Sequence, residues 1–494
     1  MSGIRRFLVC VFLWISLFSS ISYSTTNIGP VTSYDPDTYT SSPFFPVGWY
    51  TYGPVGVATV TEISETGSNT ILFAGCWDQD WWHYEYVGAA LDRANELGMK
   101  IVVGFDGSML VGVNYAVPST YLHLRRWIIG FRNKPALLGW QLGDENGGPL
   151  TAQMVQDSAR AIKDLDSHHQ IWQVFAIDHT ESVTTDYMIN SDVYSYDFYQ
   201  YFDTLNGSYY TPLFGGSDGL LNNQVIRMGW AASHGWEGNV NVTQGIGADR
   251  GTGIDIFRFP NYEEYRWNVF SAIAGAKMRG TMNWIYYYGE NYYSDPAMFT
   301  TWRENVNKPV NLEQRAMQNA LETGWDVGTL SSNLDDLVEI VPGVYRVYSK
   351  ASYILLHDSV AQVYYLVVTN NTFDTQTLNL SLSNLPLPLS SLNALLPKES
   401  RQITMTSPTC GSYLLTDILA NHDVHIYTLY SNPIDGDANL SSVVDFYDFA
   451  ILASNWMESP TQDSWCFGDF NGDHVVDFND LSLMVQNWLE GSGI

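Results

Sequence analysis

The sequence predicts an α/β chain in three parts: a (β/α)8 TIM barrel, then an antiparallel β-sandwich, then a small α-helical calcium module. Three observations carry this expectation. From Phe44 to about residue 330, short apolar strands alternate with helical segments, which is the pattern of βα units. Across residues 335–430 the strands become short and alternating, with turn residues between them and no amphipathic helix of any length. Near the C-terminus one acidic pattern occurs twice, and the two copies start at Asp437 and Asp469. At 494 residues the chain is also too long for a single ordinary core.

Taken in order, residues 1–24 read as a secretory signal. Arg5 and Arg6 form a basic start, residues 7–18 an apolar run, and residues 19–24 a stretch rich in small residues. The apolar run is about a dozen residues long, short for a membrane span. The expectation is therefore a secreted, extracellular or cell-surface protein with no membrane span in the mature chain. Residues 25–42 are rich in Ser, Thr and Pro and read as a lead-in.

The barrel is expected over residues 43–328. Strand one is read at 45–50 and strand two at 68–74. A helix over 86–97, closed by Gly98 at its C-cap, leads to strand three at 100–106. A helix over 121–131 precedes strand four at 136–142, and a helix over 151–165 precedes strand five at 170–176. Strand six follows at 193–199, strand seven at 239–244 and strand eight at 280–287, with helices over 221–233 and 262–278 between them. The sandwich is expected over 335–431, with strands including 345–348, 363–368, 377–382 and 424–429.

Strand four is where chemistry enters. Its apolar run breaks abruptly into two carboxylates, Asp144 and Glu145. A buried strand with acids at its C-terminal tip is how such barrels present catalytic groups, whereas a solvated acidic turn is the plain alternative. Aromatic residues make up 14% of the chain, with 17 Trp and 32 Tyr, an excess that suits sugar-stacking clefts as well as aromatic-rich cores. Trp49, Trp81, Trp82, Trp140, Trp236 and Trp284 are candidate platforms, with Trp140 and Trp284 the best placed. Asp106, Asp144, Tyr199 and Gln244, near the ends of strands, join them as candidate substrate contacts. The net charge of −29 argues against nucleic acid and anionic membranes as partners, because no basic patch is available to neutralise phosphates. Cys76, Cys410 and Cys466 lie far apart without metal-ligand spacing and read as structural or incidental.

The terminal repeat, over residues 435–491, has oxygen donors at the spacing of an EF-hand-type calcium loop. The first set is Asp437, Asn439, Ser441, the Val443 carbonyl, Asp445 and Asp448, and the second is Asp469, Asn471, Asp473, the Val475 carbonyl, Asp477 and Asp480. Each loop runs into an apolar helix ending in Asn-Trp, at Asn455-Trp456 and Asn487-Trp488. The first loop carries Ser441 in place of an acid, and Ser442 and His474 stand where such loops usually place glycine. The paired loops resemble a type I dockerin over about residues 435–490. That resemblance implies two Ca2+ ions required for folding and a cohesin-like partner or another extracellular anchor.

Residues 43–430 resemble a glycoside hydrolase of the large (β/α)8 superfamily. The resemblance is carried by the acid pair after strand four, by Gly275-Ala276-Lys277 leading to Trp284, and by the sandwich's closing run at 423–427. It implies cleavage of O-glycosidic bonds in a polysaccharide or oligosaccharide by paired carboxylates, without a cofactor for catalysis. Glu145 would be the general acid/base, and Asp144 a neighbour that binds substrate or raises its pKa. Two departures stand out. Many such enzymes carry Asn-Glu where this chain has Asp144-Glu145, and the superfamily places a Glu at the end of strand seven, where this chain has Gln244. The second carboxylate therefore remains open between Asp197, Glu290, and Glu237 or Asp249 flanking strand seven. The alternative is a non-catalytic carbohydrate-binding barrel attached to an extracellular scaffold through its dockerin.

Overall fold

The computed structural model describes residues 29–76, 81–144, 146, 149–175, 179–197, 202–203, 216–244, 256–257, 259–286, 296–341, 344–385, 389, 392–409, 411–431, 436–438, 444–459, 468–471, 473 and 475–488. The proposed signal, residues 1–24, lies outside them.

Eight parallel strands close into one barrel in sequence order. They are β1 (Val47–Tyr52), β2 (Thr70–Cys76), β3 (Lys100–Phe105), β4 (Leu137–Asp144), β5 (Gln170–Phe175), β6 (Val193–Asp197), β7 (Glu237–Gln244) and β8 (Thr281–Trp284). All eight overlap the stretches expected from the apolar runs. β1 starts two residues later than expected, and β6 is described to Asp197. The helices between them are α1 (Val57–Ser64), α2 (Trp81–Glu96), α3 (Leu122–Phe131), α4 (Ala152–Lys163), α5 (Glu181–Met188), α6 (Gly216–His234) and α7 (Tyr262–Ala274). After β8 come α8 (Pro296–Trp302), a π-helical turn at Arg303–Asn307, α9 (Lys308–Ala316) and α10 (Gln318–Thr323).

Strands such as β4, buried along all but its last residue, read as unbroken apolar runs because both faces are covered. The barrel interior is filled by setting large side chains against glycine. A Cβ on Gly104 would come within 2.0 Å of Gln141 Oε1, and one on Gly139 within 2.7 Å of Trp172 Nε1. At the N-terminal end, part of the expected lead-in forms a hairpin of Val31–Asp35 against Thr40–Phe44. Thr32 N donates to Gln170 Oε1 at 2.8 Å, and the Tyr34 ring stacks on His168 at 4.4 Å, which ties the hairpin to the start of β5.

Two larger antiparallel sheets follow the barrel, besides a two-stranded one of Leu337–Val341 with Val344–Ser349. One joins Ala351–Asp358, Val363–Asn370, Val424–Tyr430, Asn393–Leu396 and Arg401–Thr404, and the other joins Thr329–Ser332, Gln376–Ser383, Ser412–Leu419 and Thr406–Thr409. They share a core that includes Leu355, Tyr364, Leu366, Leu380, Leu415 and Leu429. The first strand begins at Thr329, before the expected start of this region at 335. A separate core continues from the barrel into the five-stranded sheet through Ile354, Leu356, Val367 and Val424.

Helix α7 is buried at every position from Tyr265 to Ala274, between the barrel wall and that sheet. Its Arg266 pairs with Glu313 Oε2 at 2.8 Å and donates from Nη1 to the Val424 carbonyl, and Trp267 Nε1 donates to the Asn370 carbonyl at 3.0 Å.

The terminal module holds α11 (Phe446–Ser454) and α12 (Phe478–Gln486). Its two copies pack reciprocally. Gly436, at φ +102°, lies against the Met484 backbone, and Gly468, at φ +93°, lies against the Leu452 backbone. An added Cβ at either glycine would sit under 3 Å from the partner helix, so only glycine allows this approach. Among the described residues no helix is long and apolar enough to cross a membrane.

A buried charge network links the two sheets. His425 Nδ1 meets Asp417 Oδ2 at 2.9 Å and its Nε2 meets Asp423 Oδ2 at 2.9 Å. Tyr427 OH donates to Asp417 Oδ2 at 2.8 Å, and Arg401 grips the same carboxylate through Nη1 and Nη2. Burial by itself would lower the imidazole's pKa, but hydrogen bonds to Asp417 and Asp423 and their charges push it up to about 9. Burial would raise the Asp417 pKa, yet hydrogen bonds from His425, Arg401 and Tyr427 hold it well below the usual carboxylate range.

Because the His425 pKa is raised on folding, its contribution is fully present below the unfolded value of about 6.5 and is lost as pH rises through about 9. The Asp417 contribution has the opposite sense. It is present above the ordinary carboxylate range and is lost as pH falls. His425→Ala leaves carboxylates buried without their imidazolium and is expected to cost about 3–5 kcal/mol in urea unfolding. The deficit relative to wild type should shrink as pH is taken from 6 to 10.

Candidate functional site

The site is built at the C-terminal ends of the barrel strands, and its geometry begins with an irregularity in β4. Gln141 pairs with Trp172, but the next pairing is Asp144 with Val174, so β4 takes three steps where β5 takes two. Gly143 lies at this irregularity with φ +72°, a left-handed backbone angle that glycine adopts without strain. Val174 pairs in turn with Ser195 on β6, which puts Asp144 in register with the inner course of that strand. Asp144 is exposed.

Asp197 lies two residues beyond Ser195, and residues two apart on a strand share a face. It ends β6, is buried, and pairs with Val242 on β7. Position 244 then pairs with Trp284 on β8. Trp284 is half-buried, and its ring centre lies 5.5 Å from that of Tyr50 on β1. β4 and β6 are separated by one strand, so their tips are roughly 10 Å apart along the wall.

The turn after β4 is pinned from inside. Asn146 is buried, and its Nδ2 donates to the Leu142 carbonyl at 2.8 Å and to Gln173 Oε1 at 2.7 Å. The Asn146 carbonyl meets His179 Nε2 at 3.0 Å. A Cβ on Gly143 would fall 2.0 Å from Asn146 Oδ1, so the glycine is needed for its shape as well as its backbone angle.

Several expected contacts are placed differently. Trp140, expected in the cleft, is fully buried on the outer side of β4, stacked on Phe105 with ring centres 5.7 Å apart. Its Nε1 donates to Asp166 Oδ2 at 2.8 Å. This corrects the expectation: the alternation along β4 turns Trp140 toward the helices, opposite to Gln141. Trp49 is likewise buried, among Tyr286, Phe299 and Trp302. Trp236 is half-buried with its ring 5.4 Å from Tyr194. Asp106 uses Oδ1 to accept from Ser108 N at 2.8 Å, capping the short helix Gly107–Leu110.

Glu145, Glu290, Asp249 and Tyr199 lie outside the described residues, as do the side chains of Gln244, Glu237, Trp81 and Trp82.

Behind β6 the structure shows a residue that sequence reasoning passed over. Arg227 on α6 is buried, with its guanidinium 4.5 Å from the Tyr196 ring centre and 4.6 Å from that of Trp230. Its Nη1 donates to Tyr194 OH at 3.2 Å. Burial pushes the Tyr194 phenol up to about 12 and raises the Tyr196 phenol well above its ordinary value. A lone Arg in the largely uncharged helical stretch 221–233 was the available signal.

In the terminal module, Asp437, Asp448, Asp469 and Asp480 are buried. Residues 431–494 contain no lysine or arginine. In the second loop, Asp480 Oδ1 accepts from Phe470 N at 2.7 Å and Asn471 N at 3.1 Å, and its Oδ2 accepts from Asp477 N at 2.8 Å. Asp473 N donates to Asp469 Oδ1 at 3.1 Å, and Val475 N donates to Asp473 Oδ1 at 2.9 Å. The carboxylates are thus wound into one oxygen-rich loop, and the first loop repeats the Asp445–Asp448 capping box. Among the described residues no three carboxylate, imidazole or thiolate side chains form a metal-holding group. A calcium donor set here would therefore combine carboxylates with amide and backbone oxygens. Buried carboxylates in a module without lysine or arginine fit a bound cation. Asn439, Ser441 and Val443 of the first loop lie outside the described residues.

No family model matches the chain, and no curated protein sequence matches it. Solved structures do. One glycoside hydrolase aligns over 82% of this chain and 96% of its own at 12% identity, with a TM-score of 0.53. A glycoside hydrolase family 5 protein from Bacteroides vulgatus aligns over 79% of this chain and 90% of its own at 12% identity, also with a TM-score of 0.53. At such identity the likeness is one of fold: a closed parallel barrel with antiparallel sheets attached.

The pinned turn is directly testable. Asn146→Ala removes both bonds and strands Gln173 Oε1, so it should cost about 1–3 kcal/mol in urea unfolding. Amide exchange should accelerate at Gly143 and Asp144 more than at the start of β4.

Proposed function

We propose that the chain is a secreted glycoside hydrolase that cleaves O-glycosidic bonds of a polysaccharide or oligosaccharide. The observation that carries this reading is the pair of strand tips, β4 with Asp144 and β6 with Asp197, at the same end of one closed barrel. The fold shared with two glycoside hydrolases supports it.

In this reading Glu145, which follows Asp144 directly, protonates the leaving oxygen. The neighbouring carboxylate of Asp144 raises its pKa so that it starts protonated, and also contacts substrate. Asp197 is the preferred second carboxylate because it ends an inner course of the barrel; Glu290 is kept behind it. As base it would activate water for inversion, and as nucleophile it would form a glycosyl ester for retention. A carboxyl separation of about 6.5–9.5 Å marks the first and about 5–5.5 Å the second. Trp284 offers the stacking surface, with Asp106, Tyr199 and Gln244 as further contacts. The chemistry itself uses no cofactor.

The terminal module would hold two Ca2+ ions. Asp437, Asn439, Ser441, the Val443 carbonyl, Asp445 and Asp448 hold the first, and Asp469, Asn471, Asp473, the Val475 carbonyl, Asp477 and Asp480 hold the second. Loaded, it would dock on a cohesin-like partner or anchor the protein outside the cell.

Gln244 at the β7 tip favours a second reading, a barrel that binds carbohydrate without cleaving it and is held on a scaffold by its dockerin-like module. A polysaccharide panel separates the two. The hydrolase reading expects release of reducing sugars by wild type, with Glu145→Gln and Asp197→Asn each lowering kcat/KM by at least about 100-fold while binding survives. Wild-type binding without release selects the second reading. For the module, EGTA should abolish the helical signal of the two repeats, and calorimetry should return two Ca2+ per chain. A calcium-independent module would sink that assignment.

A further inference from the structure

A cavity of about 400 Å3 opens at the end of the barrel away from Asp144 and Asp197. It lies between the N-terminal hairpin, the start of β3, the turn before β4 and α10. Its volume falls in the range of small-molecule sites, about 300–1,000 Å3. Ser33 and Ser42 stand opposite each other in the hairpin, so their side chains share a face. The next pair on that face, Val31 and Phe44, is apolar, and Val31 is buried in the barrel core. A face that packs on the barrel thus turns polar where it crosses the cavity.

The polar groups around this cavity have capacity to spare. Lys100 is half-buried, and among the described residues its Nζ makes one hydrogen bond, to the Pro135 carbonyl at 2.6 Å, and no ion pair. Burial lowers its pKa, with the Asp35 charge acting against that effect. Glu322 accepts at Oε1 from Phe45 N at 3.4 Å and from Gln318 Nε2, which leaves Oε2 open. The Ser33 and Ser42 hydroxyls have no partner among the described residues. Asp35 differs, because its Oδ1 accepts from Asp37 N and its Oδ2 from Thr38 Oγ1, both at 2.9 Å. Its own turn occupies it. The apolar part of the lining is Pro43, Phe44 and Pro135.

These features select among ligands. One cation faces two carboxylates, Asp35 and Glu322, so an anion is disfavoured. A zwitterion would find Lys100 for its carboxylate but a single open carboxylate oxygen for the three donors of its ammonium. A sugar hydroxyl both donates and accepts, which suits an ammonium, two serine hydroxyls and one carboxylate oxygen together. The C–H face of the sugar ring would lie on Phe44 and the prolines. We propose that this cavity binds a neutral sugar unit, at the end of the barrel opposite its mouth. It would hold the chain to a glycan while the mouth stays free. The inference stands apart from the hydrolase reading, because nothing in it requires turnover.

The test uses the full chain labelled with 13C at lysine Cε, with the Lys100 signal assigned by its loss in Lys100→Arg. The methyl glycosides of glucose, xylose and mannose are titrated separately, and L-alanine serves as the zwitterion. At least one glycoside should shift the Lys100 signal saturably, with a midpoint in the millimolar range. Ser42→Val and Glu322→Gln should each raise that midpoint by at least about fivefold, since each removes a partner of the sugar. Ser42 is exposed on a strand, where valine is well tolerated, so that variant is expected to fold. No saturable shift at about 100 mM of any glycoside overturns the proposal. A midpoint that both variants leave unchanged does so too, because the sugar then sits elsewhere. Saturation by L-alanine alone makes the cavity a zwitterion site and likewise overturns it.

Discussion

A helix without a solvent face is an unusual component, and α7 has none from Tyr265 to Ala274. One side must satisfy the barrel wall, the other the five-stranded sheet. Its polar residues divide accordingly. Tyr265 turns to the barrel, while Arg266 and Trp267 reach the Val424 and Asn370 carbonyls of the sheet. Arg266 is the least replaceable of these. Its charge is buried and matched by Glu313, which comes from α9 on the barrel side. Removing it would leave the Glu313 carboxylate without its guanidinium, though still bonded to Tyr262 OH, and the Val424 carbonyl without that donor. Two bodies joined this way, with apolar side chains continuous across the boundary, behave as one folding unit more than as beads on a linker.

The same helix governs the mouth of the barrel. Tyr265 OH donates to Asn283 Oδ1 at 2.6 Å, and Thr243 Oγ1 donates to the same oxygen at 2.6 Å. Asn283 Nδ2 closes the set on the Gly48 carbonyl at 2.9 Å, and Asn307 Nδ2 donates to Tyr265 OH at 2.8 Å from the π-helical turn. These bonds tie β7, β8 and β1 together one residue below Gln244 and Trp284. A buried network of this kind contributes little per bond but is costly to break in part, so it fixes geometry more than it adds stability. The placement of Trp284 beside Tyr50 follows from it.

Much of this was legible in the sequence, and the failures have physical causes. The eight strands could be found because apolar runs bounded by turn residues survive any choice of facing. Which way each residue faces could not, since a strand buried on both sides carries no polar alternation to read. Trp140 was misjudged for that reason. The bulge at Gly143 was hidden for another: one glycine in a strand does not announce a register shift, yet the shift decides where Asp144 falls. Arg227 was overlooked because a single cation in a helix normally lies on the surface, and nothing in its spacing says otherwise. The sheet region was found but its start at Thr329 was not, because Thr-Leu-Ser-Ser reads equally well as a turn. The terminal repeat was the easiest feature, because the spacing recurs and recurrence is hard to produce by accident.

Buried acids run through all of these features, and the chain compensates them differently from place to place. Asp417 is held by an imidazolium and a guanidinium between two sheets. Asp166 takes the Trp140 indole and the His169 ring. In the terminal module no guanidinium or ammonium is at hand locally, because residues 431–494 have no lysine or arginine. Backbone N–H groups soften the penalty for Asp480 but carry no net charge to cancel it. A cation from outside the chain, as proposed above, would compensate these buried carboxylates and would make the module's fold depend on the medium around it. Calcium is abundant outside cells and scarce within them, so such a module would be assembled where a secreted protein works. The acidity of the module and the proposed secreted address are in that sense one argument.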